Sequence, residues 1–153
     1  MRPKMTKTTI WVLLWLLWAA GGAAFGGQIF VDGDAAGAND GSSWENAFRY
    51  LRDALAAASS GDEIRVAEGI YRPDRGTGVT LGDRGATFRL VDNVTIRGGY
   101  AGFSEPVPDA RNIARYETVL SGDLGGNDVA VSNPRDLPGS PSRSENCYNV
   151  VTG

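Results

Sequence analysis

Four short apolar segments, each closed by a glycine, constrain most strongly what this chain can fold into. They are EIRVAEG, VTIRGGY, TVLSGD and NVVTG, which begin at residues 63, 94, 118 and 149. Each holds only a few β-branched or aliphatic residues, and this pattern is typical of a strand that ends at a turn. Because strands this short cannot form a hydrophobic core alone, we expect them to stack on one another.

The spacing of these segments predicts a repeating architecture. Ile64 and Ile96 are 32 positions apart, Ile96 and Leu120 are 24 apart, and Leu120 and Val151 are 31 apart. One short strand every ~20–50 residues, with loops of variable length between them, is typical of a stacked solenoid. The sequence therefore predicts an all-β solenoid in which each strand forms one side of a coil and the glycine turns the corner.

One amphipathic helix is predicted before these strands. Ser42 is a plausible N-cap, and Glu45 three residues later completes a capping box. Gly61 would end the helix as its left-handed residue. We expect the helix to cover the first coil by packing on Ile64 and Val66. Its buried face would hold Trp44, Phe48, Leu51 and Leu55.

The first 26 residues have the pattern of a secretory signal peptide. Three basic residues precede an unbroken apolar run from Ile10 to Ala20, and small residues follow it. A membrane anchor is the alternative, although a spanning helix needs roughly 20 apolar residues. The expected organisation is a signal peptide at 1–26, a strand and capping helix at 27–61, and the first coils at 62–153. We expect a secreted, cell-surface or envelope protein.

The charge of the mature part excludes several classes of partner. Removing Arg2, Lys4 and Lys7 from the 15 basic residues leaves 12 arginines against 18 acidic residues, a net charge of −6. This balance argues against nucleic acid and, once the signal is cleaved, against anionic membranes. The chain has no histidine, which removes His-based triads and the usual zinc sites. Cys147 is the only cysteine, so we expect a buried thiol or a pairing outside this chain.

Two acidic clusters are candidates for Ca²⁺, which prefers oxygen ligands. One consists of Asp32, Asp34, Asn39 and Asp40, and the other of Asp123, Asn127 and Asp128. The first fails the pattern of an EF-hand, because Ala36 stands where a third oxygen ligand belongs and no glutamate closes the loop. We favour turn chemistry for both clusters, since Asp and Asn side chains accept backbone hydrogen bonds in turns. Ca²⁺ remains the alternative.

The stretch from Ile29 to Pro73, together with VTIRGGYAGFSE and TVLSGD, resembles a known family. It is similar to the N-terminal part of bacterial secreted right-handed parallel β-helix proteins of the pectin-lyase-like type, and the resemblance extends to Gly153. It implies the first coils of such a β-helix with an N-terminal capping helix. An ordinary open α/β sheet is the alternative, but no second helix is predicted to supply crossovers.

The resemblance leaves the activity open, because this fold carries lyases, hydrolases, adhesins and inert surface proteins. A lyase would use Ca²⁺-binding carboxylates with a basic residue, and a hydrolase would use a pair of carboxylates. Candidates that could converge on one face are Arg97, Arg115, Asp92 and Asp123. Since the sequence does not show that they meet, no catalytic, cofactor-binding or metal residue is assigned.

The leading hypothesis is an exported, non-catalytic scaffold or surface protein that contacts polysaccharide. The alternative is the N-terminal part of a polysaccharide lyase or glycoside hydrolase whose active site lies mostly beyond residue 153. A third hypothesis is an adhesin module stabilised by Ca²⁺. Because no capping segment follows Val151 and Thr152, we also expect further coils or a partner that pairs with the last strand.

Overall fold

The computed structural model describes residues 26–153, so the predicted signal peptide lies outside the described residues except for Gly26. The strands and the α-helix are β1 (Gln28–Val31), α1 (Leu51–Ala57), β2 (Glu63–Ala67), β3 (Gly69–Tyr71), β4 (Phe88–Arg89), β5 (Thr95–Tyr100), β6 (Thr118–Leu120) and β7 (Val151–Thr152). Two short 3-10 helices at Pro134–Gly139 and Pro141–Arg143 lie between β6 and β7. Within residues 26–153, no helix has the length and hydropathy needed to cross a bilayer.

The seven strands form three small parallel sheets. The first has the order β1-β2-β5, the second pairs β3 with β6, and the third pairs β4 with β7. In the first sheet Ile29, Ile64 and Ile96 occupy one register column across the three strands. Parallel strands need long connections, and here loops such as 72–87 and 101–117 provide them.

The prediction of an all-β solenoid, a right-handed parallel β-helix, is wrong for the described residues. They form three separate sheets of three, two and two strands beside one α-helix, and no solenoid is detected among them. The four glycine-closed segments do not stack in a single column. Ile96 pairs with Ile64, whereas Leu120 pairs with Tyr71 and β7 pairs with β4. The regular spacing therefore combined strands that belong to three different sheets.

The predicted helix start is also wrong. The helix begins at Leu51, and Tyr50 at its N-cap makes no side-chain capping bond. The segment before it instead pairs with the outer edge of β1. The N–H of Phe30 donates to the carbonyl of Gly41, and Phe48 exchanges bonds with Phe30 and Asp32. Because an open strand edge leaves backbone groups unpaired, this pairing outweighs the local helical pattern of residues 42–50.

The main hydrophobic core lies between the sheets and the helix. Its buried residues are Val31, Leu51, Ala54, Leu55, Ile64, Val66, Tyr71 and Phe88. Leu51 and Leu55 lie in the same buried cluster as Ile64 and Val66, as predicted, and Phe48 packs against that cluster. Burying such side chains stabilises a fold by about 1.5–3 kcal/mol each.

Trp44 departs from the predicted helix face. It belongs to a second cluster with Phe30, Ala67 and Tyr100. Its indole Nε1 donates a 3.0 Å hydrogen bond to Asp109, and its ring lies edge-on to Phe30 with centroids 4.9 Å apart. This side chain therefore ties the segment before α1 to the loop that follows β5.

Candidate functional site

A cleft of about 550 Å³ opens where β1 ends, α1 begins and β3 runs. We call it the arginine cleft, because three arginines from two separate segments line it. Its lining residues are Gly33, Asp34, Arg49, Tyr50, Leu51, Glu68, Gly69, Ile70, Tyr71, Arg72 and Arg75. Sites for small ligands are concave and commonly enclose about 300–1,000 Å³, so the cleft has a suitable size.

Two of the three arginines are held in place by backbone carbonyls. Arg49 precedes α1, and its Nε donates a 2.9 Å hydrogen bond to the carbonyl of Ala35. The backbone N–H of Arg49 donates to Asn39 Oδ1 at 2.9 Å. Arg72 follows β3, and its Nε donates at 2.6 Å to the carbonyl of Asp123. A carbonyl bears no net charge, so these bonds orient the guanidinium groups without neutralising them.

The third arginine has a mixed environment. Arg75 Nη2 donates a 3.4 Å hydrogen bond to the carbonyl of Leu124. Its Nε also lies 3.7 Å from Oδ1 of Asp74, whose side chain is fully buried. That carboxylate oxygen has no hydrogen-bond partner, so its contact with Arg75 is ionic only. We therefore expect Arg75 to keep less free charge than the other two arginines.

The cleft also has an apolar part. Tyr50 is 42% exposed and Ile70 is 59% exposed, and both line the cleft. Tyr71 beside them is buried, and its hydroxyl donates to the carbonyl of Ala67 at 3.2 Å. Burial is the main reason that the pKa of Tyr71 is raised, with the nearby charge of Asp32 adding to it. Tyr71 therefore lines the cleft as an uncharged side chain.

The first predicted acidic cluster is used in turns. Asp32 is buried, and its carboxylate accepts the backbone N–H of Asp34 at 2.9 Å and that of Phe103 at 2.6 Å. Asp40 Oδ1 accepts the backbone N–H of Ser42 at 2.9 Å. The pKa of Asp40 is lowered mainly by a hydrogen bond with the Ser42 side chain and next by this backbone bond. Among residues 26–153 no group of three or more acidic or sulfur side chains is arranged for a metal ion.

The second predicted cluster wraps around one carboxylate. Asp123 Oδ1 accepts backbone N–H groups from Gly126 at 2.6 Å and Asn127 at 3.1 Å, and its Oδ2 accepts that of Asp128 at 3.0 Å. Burial alone would raise the pKa of Asp123. The three N–H bonds outweigh that effect, so the pKa is lowered. The observed geometry matches the turn interpretation of this segment.

The four residues that could have formed a catalytic face have separate partners. Arg97 pairs with Glu63 at 2.9 Å, and Arg115 approaches Glu105 at 4.0 Å. Asp123 binds its own loop, whereas Asp92 lines a second groove beside α1. The structure therefore does not bring these residues together as one site.

Cys147 is half-buried and unpaired within the described part of the chain. Burial is the main reason that the pKa of its thiol is raised. A raised pKa keeps the thiol protonated near neutral pH, and the protonated form is the less reactive one. The thiol is less buried than the sequence led us to expect, and this environment does not support a nucleophile.

Sequence reasoning missed the arginines of the cleft. Arg49 lies in the segment that was predicted to be helical, but no helix forms at residues 42–50. Arg72 and Arg75 lie in a polar loop after β3, and their anchors are about fifty residues further along the chain. The residue pattern around these arginines carried no signal of the cleft.

Comparisons with known proteins give no family for this chain. No protein-family model, no curated protein and no solved structure matches it. The resemblance to pectin-lyase-like proteins therefore stays a prediction that rests on sequence motifs, and the fold that it implied is not the one observed. What the protein does must be argued from its own site.

Proposed function

We propose that this protein is an exported, non-catalytic binding protein that holds an acidic polysaccharide in the arginine cleft. The observation that carries the proposal is the group of three cleft arginines, of which Arg49 and Arg72 are held by short hydrogen bonds to backbone carbonyls. Such a group presents oriented positive charge on a mature chain whose net charge is −6. A local cationic site on an acidic protein favours an anionic ligand over the rest of the surface.

The chemistry of guanidinium groups supports a carboxylate ligand. An arginine offers five N–H donors in a planar fork that matches a carboxylate with two parallel hydrogen bonds. In Arg49 and Arg72 the Nε is used for anchoring, which leaves both Nη groups of Arg49 and Nη1 of Arg72 for a ligand, while Nη2 of Arg72 lies beside Gly126. Asp34 and Glu68 also line the cleft, and their carboxylates can accept hydrogen bonds from sugar hydroxyls.

The apolar part of the cleft supports a sugar ring. Tyr50 and Ile70 are exposed side by side with charged groups. An aromatic ring provides an apolar face and a polar hydroxyl, which suits a ligand that has both kinds of surface. A uronate ring combines a carboxylate, hydroxyl groups and an apolar face. The cleft therefore fits a chain of acidic sugars better than a simple inorganic anion.

Two further features support the remaining parts of the proposal. Export is supported by the basic and apolar pattern of residues 1–26, which is a sequence prediction. The non-catalytic role is supported by the use of the candidate carboxylates: Asp32 and Asp123 are already bound by backbone N–H groups, and Asp34 and Glu68 in the cleft are assigned to sugar hydroxyls. A carboxylate held in this way is poorly placed to act as a general acid or base.

The test is calorimetric titration of the purified protein with polygalacturonate and with its fully methyl-esterified form. The two polymers share a backbone and differ in charge, so they separate carboxylate recognition from general sugar binding. We expect binding of the acidic polymer, weak or no binding of the ester, and no new chain ends after long incubation. Equal binding of both polymers, or no binding of either, would contradict the proposal. Chain cleavage would replace it with the lyase or hydrolase alternative.

A further inference from the structure

The loop of residues 121–128 lies against the arginine cleft and holds two of its arginines. The carbonyl of Asp123 accepts the Nε of Arg72, and the carbonyl of Leu124 accepts Nη2 of Arg75. Arg49 is anchored at Ala35 instead, so it does not depend on this loop. The conformation of the loop therefore decides where two of the three guanidinium groups point.

The side chain of Asp123 organises this loop from within. Its two oxygens accept the backbone N–H groups of Gly126, Asn127 and Asp128. Hydrogen bonds to an ionised carboxylate are roughly twice as strong as those between neutral groups. Residues 123–128 consequently wrap around the charge of the Asp123 side chain. The backbone carbonyl of the same residue accepts the hydrogen bond from Arg72.

Gly126 provides the space that the Arg72 side chain occupies. Its φ is +70°, a conformation that L side chains rarely adopt. A Cβ atom at Gly126 would lie 2.8 Å from Nη2 of Arg72. An alanine there would strain the turn and displace the guanidinium group at the same time. The loop thus fits the arginine through its backbone carbonyl and through this glycine.

We propose that Asp123 is a positioning residue of the arginine cleft. Its ionised carboxylate holds loop 121–128, and the loop orients Arg72 and Arg75 for the acidic groups of the ligand. Asp123 itself does not contact the ligand in this arrangement. The inference rests on the proposed function, because it concerns how the same cleft obtains its affinity. It assigns a role to a residue that the sequence suggested only as a turn or a Ca²⁺ ligand.

The test combines polygalacturonate titration with ¹⁵N NMR of the arginine Nε–H groups. For Asp123→Ala we expect about a tenfold loss of affinity, the size of one charge-assisted contact. The Nε–H of Arg72 should exchange faster with water, whereas that of Arg49 should stay unchanged. Asp123→Asn should lose less, since the amide oxygen can still accept from Gly126 and Asn127.

Gly126→Ala provides a second route, because it displaces Arg72 while leaving the Asp123 carboxylate in place. We expect it to lower affinity as well, which tests whether the position of Arg72 matters, and Asp123→Asn decides the role of the carboxylate if Asp123→Ala does not fold. If the wild-type protein binds, and these variants bind equally well with an unchanged Arg72 signal, the positioning role is wrong and the function stands. If the wild-type protein does not bind polygalacturonate, the proposed function fails and this role fails with it.

Discussion

Two groups of arginines on this protein differ in what neutralises them. On the outer face of the first sheet, Arg65 and Arg97 are register partners on neighbouring strands. Glu63 binds both, with Oε1 2.8 Å from Arg65 and Oε2 2.9 Å from Arg97, and Asp109 lies 3.2 Å from Arg65. We call Arg65 and Arg97 the sheet-face pair. In the arginine cleft, Arg49 and Arg72 instead make their short contacts with neutral carbonyls.

The charged or neutral partners of these arginines give the same residue type different roles on the two surfaces. The hydrogen bond with Glu63 is the main reason that the pKa of Arg65 is raised. The carboxylate of Glu63 thus compensates the positive charge of the sheet-face pair and offsets the repulsion between its two adjacent arginines. The arginine cleft keeps its charge for a ligand. Direct ion pairing, rather than the number of arginines, distinguishes the two surfaces: Arg65 and Arg97 pair with Glu63, whereas Arg49 and Arg72 make no ion pair within residues 26–153.

The largest expected effect is the loss of all three cleft arginines. The variant with Arg49→Ala, Arg72→Ala and Arg75→Ala should bind polygalacturonate at least about a hundredfold more weakly, since each charge-assisted contact contributes about 1.5–3 kcal/mol. Calorimetric titration measures the change. Single variants should each lose about tenfold, with Arg75→Ala losing least because Asp74 already lies near that side chain.

Arg97→Ala is the matched control for this experiment. Its side chain is 52% exposed and its charge is paired with Glu63, so its removal should leave the affinity within about twofold. Equal losses for Arg97→Ala and for a cleft variant would show that binding follows overall charge. The comparison between the two surfaces would then be wrong.

Glu63→Gln should leave the arginines of the sheet-face pair without their shared carboxylate, as Arg49 and Arg72 are in the cleft. Removing the shared carboxylate leaves Arg65 and Arg97 adjacent and less compensated, which should cost about 1 kcal/mol in the free energy of unfolding. It should also create a second, weaker site for polygalacturonate. Thermal unfolding and the stoichiometry of titration measure the two effects. An unchanged stoichiometry would mean that free guanidinium charge alone does not make a site.

Acid should release the cleft loop before it affects the Arg49 anchor. The folded pKa of Asp123 is lowered, so its contribution is fully present above its unfolded pKa of about 3.9 and is lost as the pH falls through the lower folded value. Protection of the Gly126 amide, measured against its intrinsic exchange rate at each pH, should therefore persist down to about pH 4 and be lost below it. Asp123→Asn, which cannot titrate, should lack this transition. A transition near neutral pH would contradict the assignment.

The smallest expected effect concerns the apolar part of the cleft. Tyr50→Ala should weaken polygalacturonate binding by about threefold to tenfold, because an aromatic contact contributes roughly 0.5–1.5 kcal/mol. Tyr50→Phe keeps the ring and should lose less. Titration of both variants distinguishes ring contact from hydroxyl contact. If Tyr50→Ala binds as tightly as the wild-type protein, the ligand does not use this side chain.

Local patterns predicted individual strands well in this chain. The segment EIRVA forms β2 and GIY forms β3, and the spacing aligned Ile64 with Ile96 correctly. These features depend on neighbouring residues or on one strand-to-strand step. The global fold class was wrong, because spacing alone does not show which sheet a short strand joins. Leu120 had the right distance from Ile96 but pairs with Tyr71.

The arginine cleft could not be predicted, because its geometry is made by distant segments. The helix α1 begins at Leu51 rather than at the predicted Ser42, because residues 41–48 pair with β1. Arg49 therefore lies just before the helix, where it lines the cleft. The anchors of Arg72 lie in loop 121–128, across 51 positions of the chain. The residue pattern around these arginines indicates neither the pairing with β1 nor the anchoring by loop 121–128.

The most direct measurement of the central claim is a crystal structure of the protein with trigalacturonate. The account predicts a uronate carboxylate within hydrogen-bond distance of the Nη atoms of Arg72 or Arg49, with a sugar ring against Tyr50. It also predicts that both guanidinium groups keep their bonds to backbone carbonyls. A ligand bound at the sheet-face pair or in the groove beside α1, with the arginine cleft empty, would contradict the account.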